Sequence, residues 1–247
     1  MSSLLTVEKL SKNFGALRAS DGIDFDVAEG ETHAVIGPNG AGKTTFIGQL
    51  AGNLRPDSGR IAFAGEDITR LPAARRARKG LARSFQITSV YLDFTALQNV
   101  ALAVQAHSGR SGFWRDARRD ESLVSPAREF LERVGLGNRL DVLAANLAHG
   151  EQRQLEVAMA LATRPRLLLL DEPMAGMGIE ESQRMIALLA SLKRRQTIVL
   201  VEHDMDAVFK LADRISVLVY GRVIATDTPE KIRANEEVRK AYLGEDF

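Results

Sequence analysis

A glycine-rich segment at positions 37–44 constrains the fold more than any other feature of the sequence. It follows the segment Thr32 to Ile36, which has the character of a strand, and the residues that begin at Lys43 have an apolar face with helical spacing. Glycine permits the left-handed and closely packed backbone that such a tight turn needs. The sequence therefore predicts a strand, a glycine-rich turn and a helix in direct succession, which is the basic unit of an α/β fold.

The same segment satisfies the pattern G-x-x-x-x-G-K-[ST], whose chemistry is phosphate binding. The N–H groups of the turn point toward phosphate oxygens, and the N-terminus of the following helix attracts the same anion. Lys43 is expected to hold the β- and γ-phosphates, and Thr44 is expected to ligate Mg²⁺. The candidate nucleotide-binding residues of this segment are Gly37, Pro38, Asn39, Gly40, Ala41, Gly42, Lys43, Thr44 and Thr45.

Composition narrows the class of protein. The 247 residues include 33 Lys and Arg against 32 Asp and Glu, so no general electrostatic attraction to nucleic acid is expected. The chain has no cysteine, which excludes disulfides, thiolate zinc sites, iron–sulfur clusters and a cysteine nucleophile. No apolar run approaches the about 20 residues of a membrane span, and no secretion signal is visible. We expect a cytoplasmic protein that reaches a membrane only through a partner.

Two kinds of strand follow from the hydrophobic pattern. Ile23, Phe25 and Val27 alternate with acidic residues, which predicts a half-solvated, antiparallel strand near the N-terminus. Continuous apolar runs at 167–170 and 198–201 instead predict parallel strands buried on both faces. The chain thus combines an antiparallel N-terminal region with a mostly parallel core sheet.

Helical spacing dominates the middle of the chain. Segments with this spacing and no convincing strand between them lie at 95–107, 122–134 and 151–163. The predicted organisation is one domain over 1–247 with a helical subdomain inserted at 88–165. The fold class is α/β, a P-loop NTPase core with antiparallel N-terminal strands.

Two acidic residues end the first of the buried strands. Asp171 and Glu172 directly follow the apolar run, which is the form of a Walker B segment. Asp171 is expected to hold Mg²⁺, directly or through water, and Glu172 to orient and polarise the attacking water. Acidic residues at this position also serve as ordinary helix caps, but the phosphate-binding loop in the same chain favours the catalytic interpretation.

These motifs, in this order, closely resemble those of the ATP-binding subunits of ABC transporters, and the resemblance covers nearly the whole chain. It implies that Gln86, within Arg83-Ser84-Phe85-Gln86, senses the γ-phosphate and Mg²⁺ and is linked to the helical subdomain. It implies that His203 contacts the γ-phosphate at the end of a strand, and that Phe14 stacks on adenine. ATP and Mg²⁺ are the implied ligands.

The family's signature segment, usually Leu-Ser-Gly-Gly-Gln, appears here as Leu147-Ala148-His149-Gly150-Glu151-Gln152. In the family, this segment reaches the γ-phosphate held by an opposing subunit, so that two ATP molecules lie inside a head-to-tail dimer. Ala148 has no hydroxyl to donate, whereas Gly150 and the helix N-terminus still offer backbone donors. The resemblance implies that Ala148, His149, Gly150 and Glu151 contact ATP. A second departure places Gly178 where the family has an aspartate.

The signature departure leaves two dimer partners open. Either His149 and the backbone donors compensate in a pair of identical chains, or the partner is a paralogous ATPase whose own serine completes the site. Neither departure from the family pattern affects the glycine-rich loop, the Walker B residues or His203. ATP binding and hydrolysis are expected in either case.

Within the family, the long helical insertion most resembles that of the subunits of branched-chain amino acid importers, with relatives for urea and short amides, and so do three short segments. They are Arg83-Ser84-Phe85-Gln86, Gly150-Glu151-Gln152-Arg153 and Ala241-Tyr242-Leu243-Gly244-Glu245. The resemblance implies separate membrane permease subunits and, indirectly, a periplasmic or extracellular binding protein. It places the chain on the cytoplasmic face of the cell membrane.

Two alternatives remain at this point. One is the ATPase of a lipopolysaccharide or other lipid exporter, which is closely similar in core and length. The other is a soluble ABC ATPase without a transport role; those proteins generally have two cassettes or a long coiled coil, and this chain has no sustained heptads. A basic run, formed by Arg75, Arg76, Arg78 and Lys79, is expected to be a solvated helix face or a partner-facing patch.

Overall fold

A computed structural model describes residues 3–84, 90–108 and 120–243 of the chain. Its strands are β1 (Ser3–Phe14), β2 (Leu17–Ala28), β3 (Thr32–Ile36), β4 (Ser58–Phe63), β5 (Glu66–Asp67), β6 (Leu81–Arg83), β7 (Leu167–Asp171), β8 (Thr197–Val201), β9 (Arg214–Val219) and β10 (Arg222–Asp227). Its α-helices are α1 (Lys43–Ala51), α2 (Ala73–Arg78), α3 (Ala96–Ser108), α4 (Glu121–Arg133), α5 (His149–Ala162), α6 (Ile179–Leu192), α7 (Met205–Leu211), α8 (Pro229–Ala234) and α9 (Glu236–Val238). A 3₁₀ turn at Ala144–Asn146 and a π-helical turn at Arg239–Leu243 complete the described elements.

The larger sheet has six strands in the order β10-β9-β3-β8-β7-β6. The pairings from β9 through β6 are parallel, and β10 alone runs antiparallel to its neighbour β9. Every residue of β3, β7 and β8 is buried, as expected for strands with both faces covered. The predicted mostly parallel core is therefore confirmed.

The smaller sheet has four antiparallel strands in the order β2-β1-β4-β5. Ile23, Phe25 and Val27 of β2 are buried, whereas Asp24 between them is exposed, so the alternation gives the sheet one apolar face. That face packs with α1 and with one face of the larger sheet in a common apolar cluster. The predicted antiparallel N-terminal region is also confirmed.

In the described residues between β6 and β7, three α-helices precede the return of the chain to the sheet. The predicted helices at 95–107, 122–134 and 151–163 correspond to α3, α4 and α5, with ends displaced by one or two residues. These helices pack on one another and share an apolar cluster with the opposite face of the larger sheet. The division that makes 88–165 a separate subdomain stays a prediction.

None of the helices in the described ranges is both long and apolar enough to cross a membrane.

Candidate nucleotide site

The carboxyl ends of β3, β7 and β8 lie side by side, and the candidate site is built there. Val201 of β8 pairs with Val35 of β3 on one side and with Asp171 of β7 on the other. Because the three strands are parallel, the segments that leave them emerge at the same edge of the sheet. The glycine-rich loop, Glu172 and His203 are those segments.

Two glycines in the loop are required by close backbone contacts. A Cβ atom on Gly37 would overlap the carbonyl oxygen of Leu218, and one on Gly42 would overlap the carbonyl oxygen of Ala19. Both glycines also have positive φ, 154° at Gly37 and 103° at Gly42, which side chains disfavour. The loop is further held by the N–H of Gly221, which donates to the carbonyl of Ala41 at 2.9 Å. Backbone from both ends of the chain therefore fixes the shape of the loop.

Lys43 begins α1 and is buried against the loop. Its Nζ donates to the carbonyl oxygens of Gly37 at 2.6 Å and Pro38 at 3.1 Å. Burial lowers the pKa of Lys43, and the nearby carboxylates of Glu172 and Asp171 oppose that shift. The arrangement provides a cation at the N-terminus of a helix, where an anion is favoured. Thr44 at the next position is exposed and Thr45 is half-buried.

Asp171 is the last residue of β7, and its side chain is buried. Its Oδ2 accepts a hydrogen bond from Nη2 of Arg83 at 2.9 Å, whereas its Oδ1 is buried without a hydrogen-bond partner among the described residues. Burial raises the pKa of Asp171, and the Arg83 guanidinium opposes the shift. A buried carboxylate oxygen that lacks a donor fits a hard cation or its bound water.

The described residues contain no cluster of three or more His, Cys, Asp or Glu that could hold a metal ion. Mg²⁺ usually binds through one or two protein oxygens together with substrate phosphates. Asp171 and Thr44 are the described candidates for those oxygens, and Gln86 lies outside the described residues.

Glu172 follows Asp171 with a left-handed backbone, at a φ of 49°. Its N–H donates to the carbonyl of Val201 at 2.9 Å, which holds the strained residue against the end of β8. Non-glycine residues in this region of φ are uncommon and concentrate at functional sites. The strain turns the chain sharply after Asp171, so that the two adjacent carboxylates take different surroundings.

His203 lies just beyond β8 and has a side chain that is 60% exposed. The residue before it, Glu202, is buried and was not a sequence-based candidate. Its Oε1 accepts from the N–H of Met174 at 3.0 Å, and its Oε2 accepts from the N–H of His203 at 3.1 Å. Burial raises the pKa of Glu202, while these N–H donors oppose the shift. Glu202 thus ties the segment after Glu172 to the segment that carries His203.

Phe14 ends β1 at a two-residue connection to β2, and its side chain is 49% exposed. Phe14 pairs with Leu17, which lies two residues, or about 7 Å along the strand, from the Ala19 carbonyl that touches Gly42. An exposed aromatic ring therefore lies at the tip of the hairpin that flanks the glycine-rich loop.

The signature segment lies at the N-terminus of α5, where Ala148 occupies the capping position without a side-chain hydrogen bond. The backbone donors are engaged within the chain: Ala148 N–H donates to Oε2 of Glu151 at 3.0 Å, and Gly150 N–H donates to Oε1 of Glu181 at 3.3 Å. Nε2 of His149 lies 3.2 Å from the carbonyl oxygen of Ala175. These contacts connect the segment to the loop that follows the Walker B residues.

The basic run at 75–79 departs from expectation at one residue. Arg75, Arg78 and Lys79 are exposed, but Arg76 is only 1% exposed. The Arg76 guanidinium donates to four carbonyl oxygens, among them those of Gln49 at 2.7 Å and Leu50 at 2.8 Å near the end of α1. Burial lowers the pKa of Arg76 to about 10, so the side chain remains a cation at neutral pH. The interpretation of Arg76 as solvated was wrong, because the free carbonyls at the end of α1 needed donors.

Comparison with known proteins agrees with this geometry. A family described as "ABC transporter" matches residues 20–175, and a family described as "Branched-chain amino acid ATP-binding cassette transporter" matches residues 222–247. The first match spans the glycine-rich loop, the signature segment and the Walker B residues. The second match is a further link to the importer class.

Whole-chain relatives give the same result. The high-affinity branched-chain amino acid transport ATP-binding protein BraF of Pseudomonas aeruginosa is 40% identical over 250 residues, covering 98% of each chain. The lipopolysaccharide export system ATP-binding protein LptB of Haemophilus influenzae is 32% identical over 246 residues, covering 99% of each chain. The solved structure of MJ1267 in its ADP conformation, an ATP-binding cassette of an ABC transporter, superposes with a TM-score of 0.87 at 29% identity, covering 99% of this chain and 100% of MJ1267. The chain belongs to the ATP-binding proteins of ABC transporters, in the branched-chain amino acid transporter family, and is an ATPase of that class.

Proposed function

We propose that this ATPase binds ATP and Mg²⁺ at the edge formed by β3, β7 and β8, hydrolyses ATP with Glu172, and thereby drives a branched-chain amino acid importer. The observation that carries the proposal is the meeting of the glycine-rich loop, the Walker B carboxylates and His203 at that one edge. The family match at 222–247 and the 40% identity to BraF support the substrate class.

The glycine-rich loop and Lys43 are the proposed phosphate site. N–H groups of the loop and of the first turn of α1 supply donors, and the helix dipole adds to the attraction of an anion. Lys43 now donates to two loop carbonyls, so a phosphate that arrives beside them meets a cation already held in place. Preorganisation of this kind lowers the entropy cost of binding.

Thr44, Asp171 and Gln86 are the proposed residues toward Mg²⁺, which supplies charge neutralisation at the phosphates when bound. The buried Oδ1 of Asp171, which has no hydrogen-bond donor among the described residues, supports its part in this set. Gln86 enters from the sequence resemblance alone.

Glu172 is proposed to orient and polarise the attacking water, and His203 to contact the γ-phosphate. Asp171 is buried and Glu172, with its left-handed backbone, is half-buried, so we assign one carboxylate to the metal and the other to the attacking water. The Glu202 hydrogen bonds to Met174 and His203 keep both segments in register. Positioning of this kind is the main protein contribution to phosphoryl transfer.

A second ATP-binding subunit is the proposed completion of the site, in a head-to-tail pair. Ala148, His149, Gly150 and Glu151 of one subunit would face the γ-phosphate on the other. Ala148 lacks a hydroxyl, which favours a paralogous subunit as the partner over a second copy of this chain. Phe14 is proposed as the platform for adenine.

Separate permease subunits are the proposed membrane partners, and a binding protein acts through them. A mostly apolar cleft of about 350 Å³ lies between α2 and β6 on one side and α3 and α5 on the other. Its lining includes Ala74, Ala77, Leu81, Ala103, Met159 and Ala160. An apolar cleft of this size suits a short helical segment of a partner. The resulting location is the cytoplasmic face of the membrane.

Reconstitution tests the proposal. The chain is co-expressed with candidate permease subunits and a candidate second ATPase, placed in proteoliposomes, and assayed for ATP hydrolysis with a candidate binding protein. We expect binding protein loaded with leucine, isoleucine or valine to stimulate ATP hydrolysis. We expect Glu172→Gln to abolish turnover. Stimulation by lipopolysaccharide instead would contradict the importer assignment and favour the exporter.

A further inference from the structure

One ion pair lies directly behind the exposed ring of Phe14. Lys12 and Asn13 precede Phe14 on β1, and Asp57 lies just before β4, the neighbouring strand. Asp57 is separated from these residues by more than 40 positions in the sequence, so only the folded sheet brings them together.

Asp57 holds three consecutive residues of β1. Its Oδ1 accepts from Nζ of Lys12 at 2.6 Å, and its Oδ2 accepts from the N–H of Asn13 at 2.8 Å. Its own N–H donates to the carbonyl of Ser11 at 2.9 Å. Hydrogen bonds from Lys12 and Asn13 lower the pKa of Asp57, so the carboxylate is ionised at neutral pH.

The ion pair also places a cation against the aromatic ring. Nζ of Lys12 lies 5.6 Å from the centroid of the Phe14 ring, within range of a cation–π interaction. The Lys12 side chain is only 17% exposed, whereas the Phe14 ring remains half exposed. The ring is therefore held from one side while it stays open to a ligand.

We propose that Asp57 is a positioning residue for the purine of ATP, acting through Lys12, Asn13 and the ring of Phe14. The inference rests on the proposed role of Phe14 as the adenine platform. Asp57 does not contact the base; it restricts the β1 terminus and the lysine that packs on the ring. A ring fixed before binding loses less conformational freedom when the base stacks on it.

The test separates the base from the phosphates. ATP and inorganic tripolyphosphate, which has no base, are titrated calorimetrically into the full chain and into Phe14→Ala, Asp57→Asn and the double variant. Asp57→Asn keeps an acceptor for Asn13 but removes the charge that holds Lys12. We expect it to weaken ATP binding about threefold to tenfold, in keeping with the release of one or two side chains, and to leave tripolyphosphate binding unchanged.

Non-additivity is the second readout, because Asp57 is proposed to act through Phe14. We expect Asp57→Asn to have no further effect on ATP affinity once Phe14 is alanine. Asp67→Asn is the matched control, since Asp67 of the same sheet likewise accepts from a backbone N–H, that of Thr69 at 2.9 Å, and pairs with a cation, Arg60 at 3.3 Å, while none of its described hydrogen bonds or ion pairs is with β1. Lys12→Met provides an independent variant if Asp57→Asn folds poorly, and it should show the same selective loss.

The outcomes are distinguishable. If Phe14→Ala selectively weakens ATP but Asp57→Asn and Lys12→Met do not, the inference is wrong and the adenine platform stands. If Phe14→Ala leaves both affinities unchanged, the platform is wrong and the inference falls with it. Equal weakening of ATP and tripolyphosphate by Asp57→Asn, or an undiminished effect in the double variant, would show a general structural role instead.

Discussion

The glycine-rich loop at 37–44 and the N-terminus of α5 differ in what surrounds their glycines. In the loop at 37–44, Gly37 and Gly42 press against main-chain carbonyls of Leu218 and Ala19. At the N-terminus of α5, Gly150 presses against a side chain instead, since its Cβ would lie 2.7 Å from the carboxyl group of Glu181. The neighbours of Gly37 and Gly42 are therefore backbone atoms, whereas the neighbour of Gly150 is a flexible side chain.

The hydrogen-bond donors of the loop and of the α5 N-terminus also differ. The cation of the loop, Lys43, is already buried beside the phosphate-binding turn. Two backbone donors at the N-terminus of α5 are used within the chain, Ala148 N–H by Glu151 and Gly150 N–H by Glu181. The loop thus has a cation in place for an anionic ligand. The N-terminus of α5 instead has two of its N–H groups already bonded to carboxylates of the same chain.

The largest effect is expected from Glu172→Gln, which tests the part of the site formed by the glycine-rich loop and the Walker B carboxylates. Removal of a group that orients water should lower turnover by on the order of 10²- to 10⁴-fold while ATP binding persists. Lys43→Ala should instead weaken ATP binding itself. Steady-state hydrolysis in the assembled transporter, with calorimetric ATP titration of each variant, measures the two effects separately. Unaltered turnover in Glu172→Gln would remove Glu172 from the mechanism.

The close packing of Gly37 on the Leu218 carbonyl is tested by Gly37→Ala. The added methyl group would lie 2.0 Å from the carbonyl oxygen of Leu218, a backbone atom of β9, so we expect a cost on the order of 1–3 kcal/mol, seen as weaker ATP binding and a lower melting temperature. Gly65→Ala is the control, because Gly65 also has positive φ but a Cβ there meets nothing within 4 Å. Equal losses in the two variants would show that backbone conformation alone, and not the carbonyl of Leu218, decides the result.

Ala148→Ser tests the missing hydroxyl of the signature segment. A hydrogen bond to a charged phosphate contributes roughly 1.5–3 kcal/mol, and because Glu181 competes at the same helix end we expect the lower part of that range, about tenfold tighter ATP-driven association. Light scattering of the Glu172→Gln background with and without ATP provides the measurement. No change in association or turnover would make the hydroxyl neutral and would remove the argument for a paralogous partner.

The smallest effect is expected from Glu181→Gln. Loss of the charge weakens the hold on Gly150 N–H and removes repulsion toward a phosphate, so ATP-driven association should rise a few-fold, within the roughly 0.5–1.5 kcal/mol of one hydrogen bond. Glu180→Gln is the matched control, since Glu180 is the adjacent acid and its ion pair with Arg184 spans 3.9 Å at the surface. A rise of equal size in the control would attribute the effect to net charge.

Local patterns predicted the loop at 37–44 and the pair Asp171 and Glu172, because strand, turn and carboxylates adjoin in the sequence. The contacts of Glu202 with Met174 and of Glu181 with Gly150 span 28 and 31 positions, and no short motif encodes them. They depend on which strands become neighbours in the sheet. The fold class was therefore predicted correctly from the sequence, and the candidate site residues came from local motifs, whereas the supporting carboxylates Glu202 and Glu181 could be found only in the folded chain.

The burial of certain polar residues was also not predicted from the sequence. Arg76 stands in a basic run and gives no local sign of burial, because its partners are the carbonyls at the end of α1, more than 25 positions away. His33 is also fully buried, with Nε2 2.8 Å from Oγ of Ser216 and Nδ1 3.1 Å from Glu31. That trio has the residue types of a hydrolytic triad, but its burial keeps substrate away, so accessibility decides its role.

The packing of Gly37 on Leu218 has a consequence for the order in which the protein matures during synthesis. The strand that leads into the loop, β3, has only β8 and β9 as neighbours in its sheet, and both are made long after it. A nascent chain that has passed residue 44 possesses the whole glycine-rich motif but lacks the strands that shape it. Because such distant pairings form slowly and late, ATP cannot assist the early stages of folding. The ability to hold nucleotide should therefore emerge only after residue 221 has left the ribosome, which makes ATP binding a marker of a completed core.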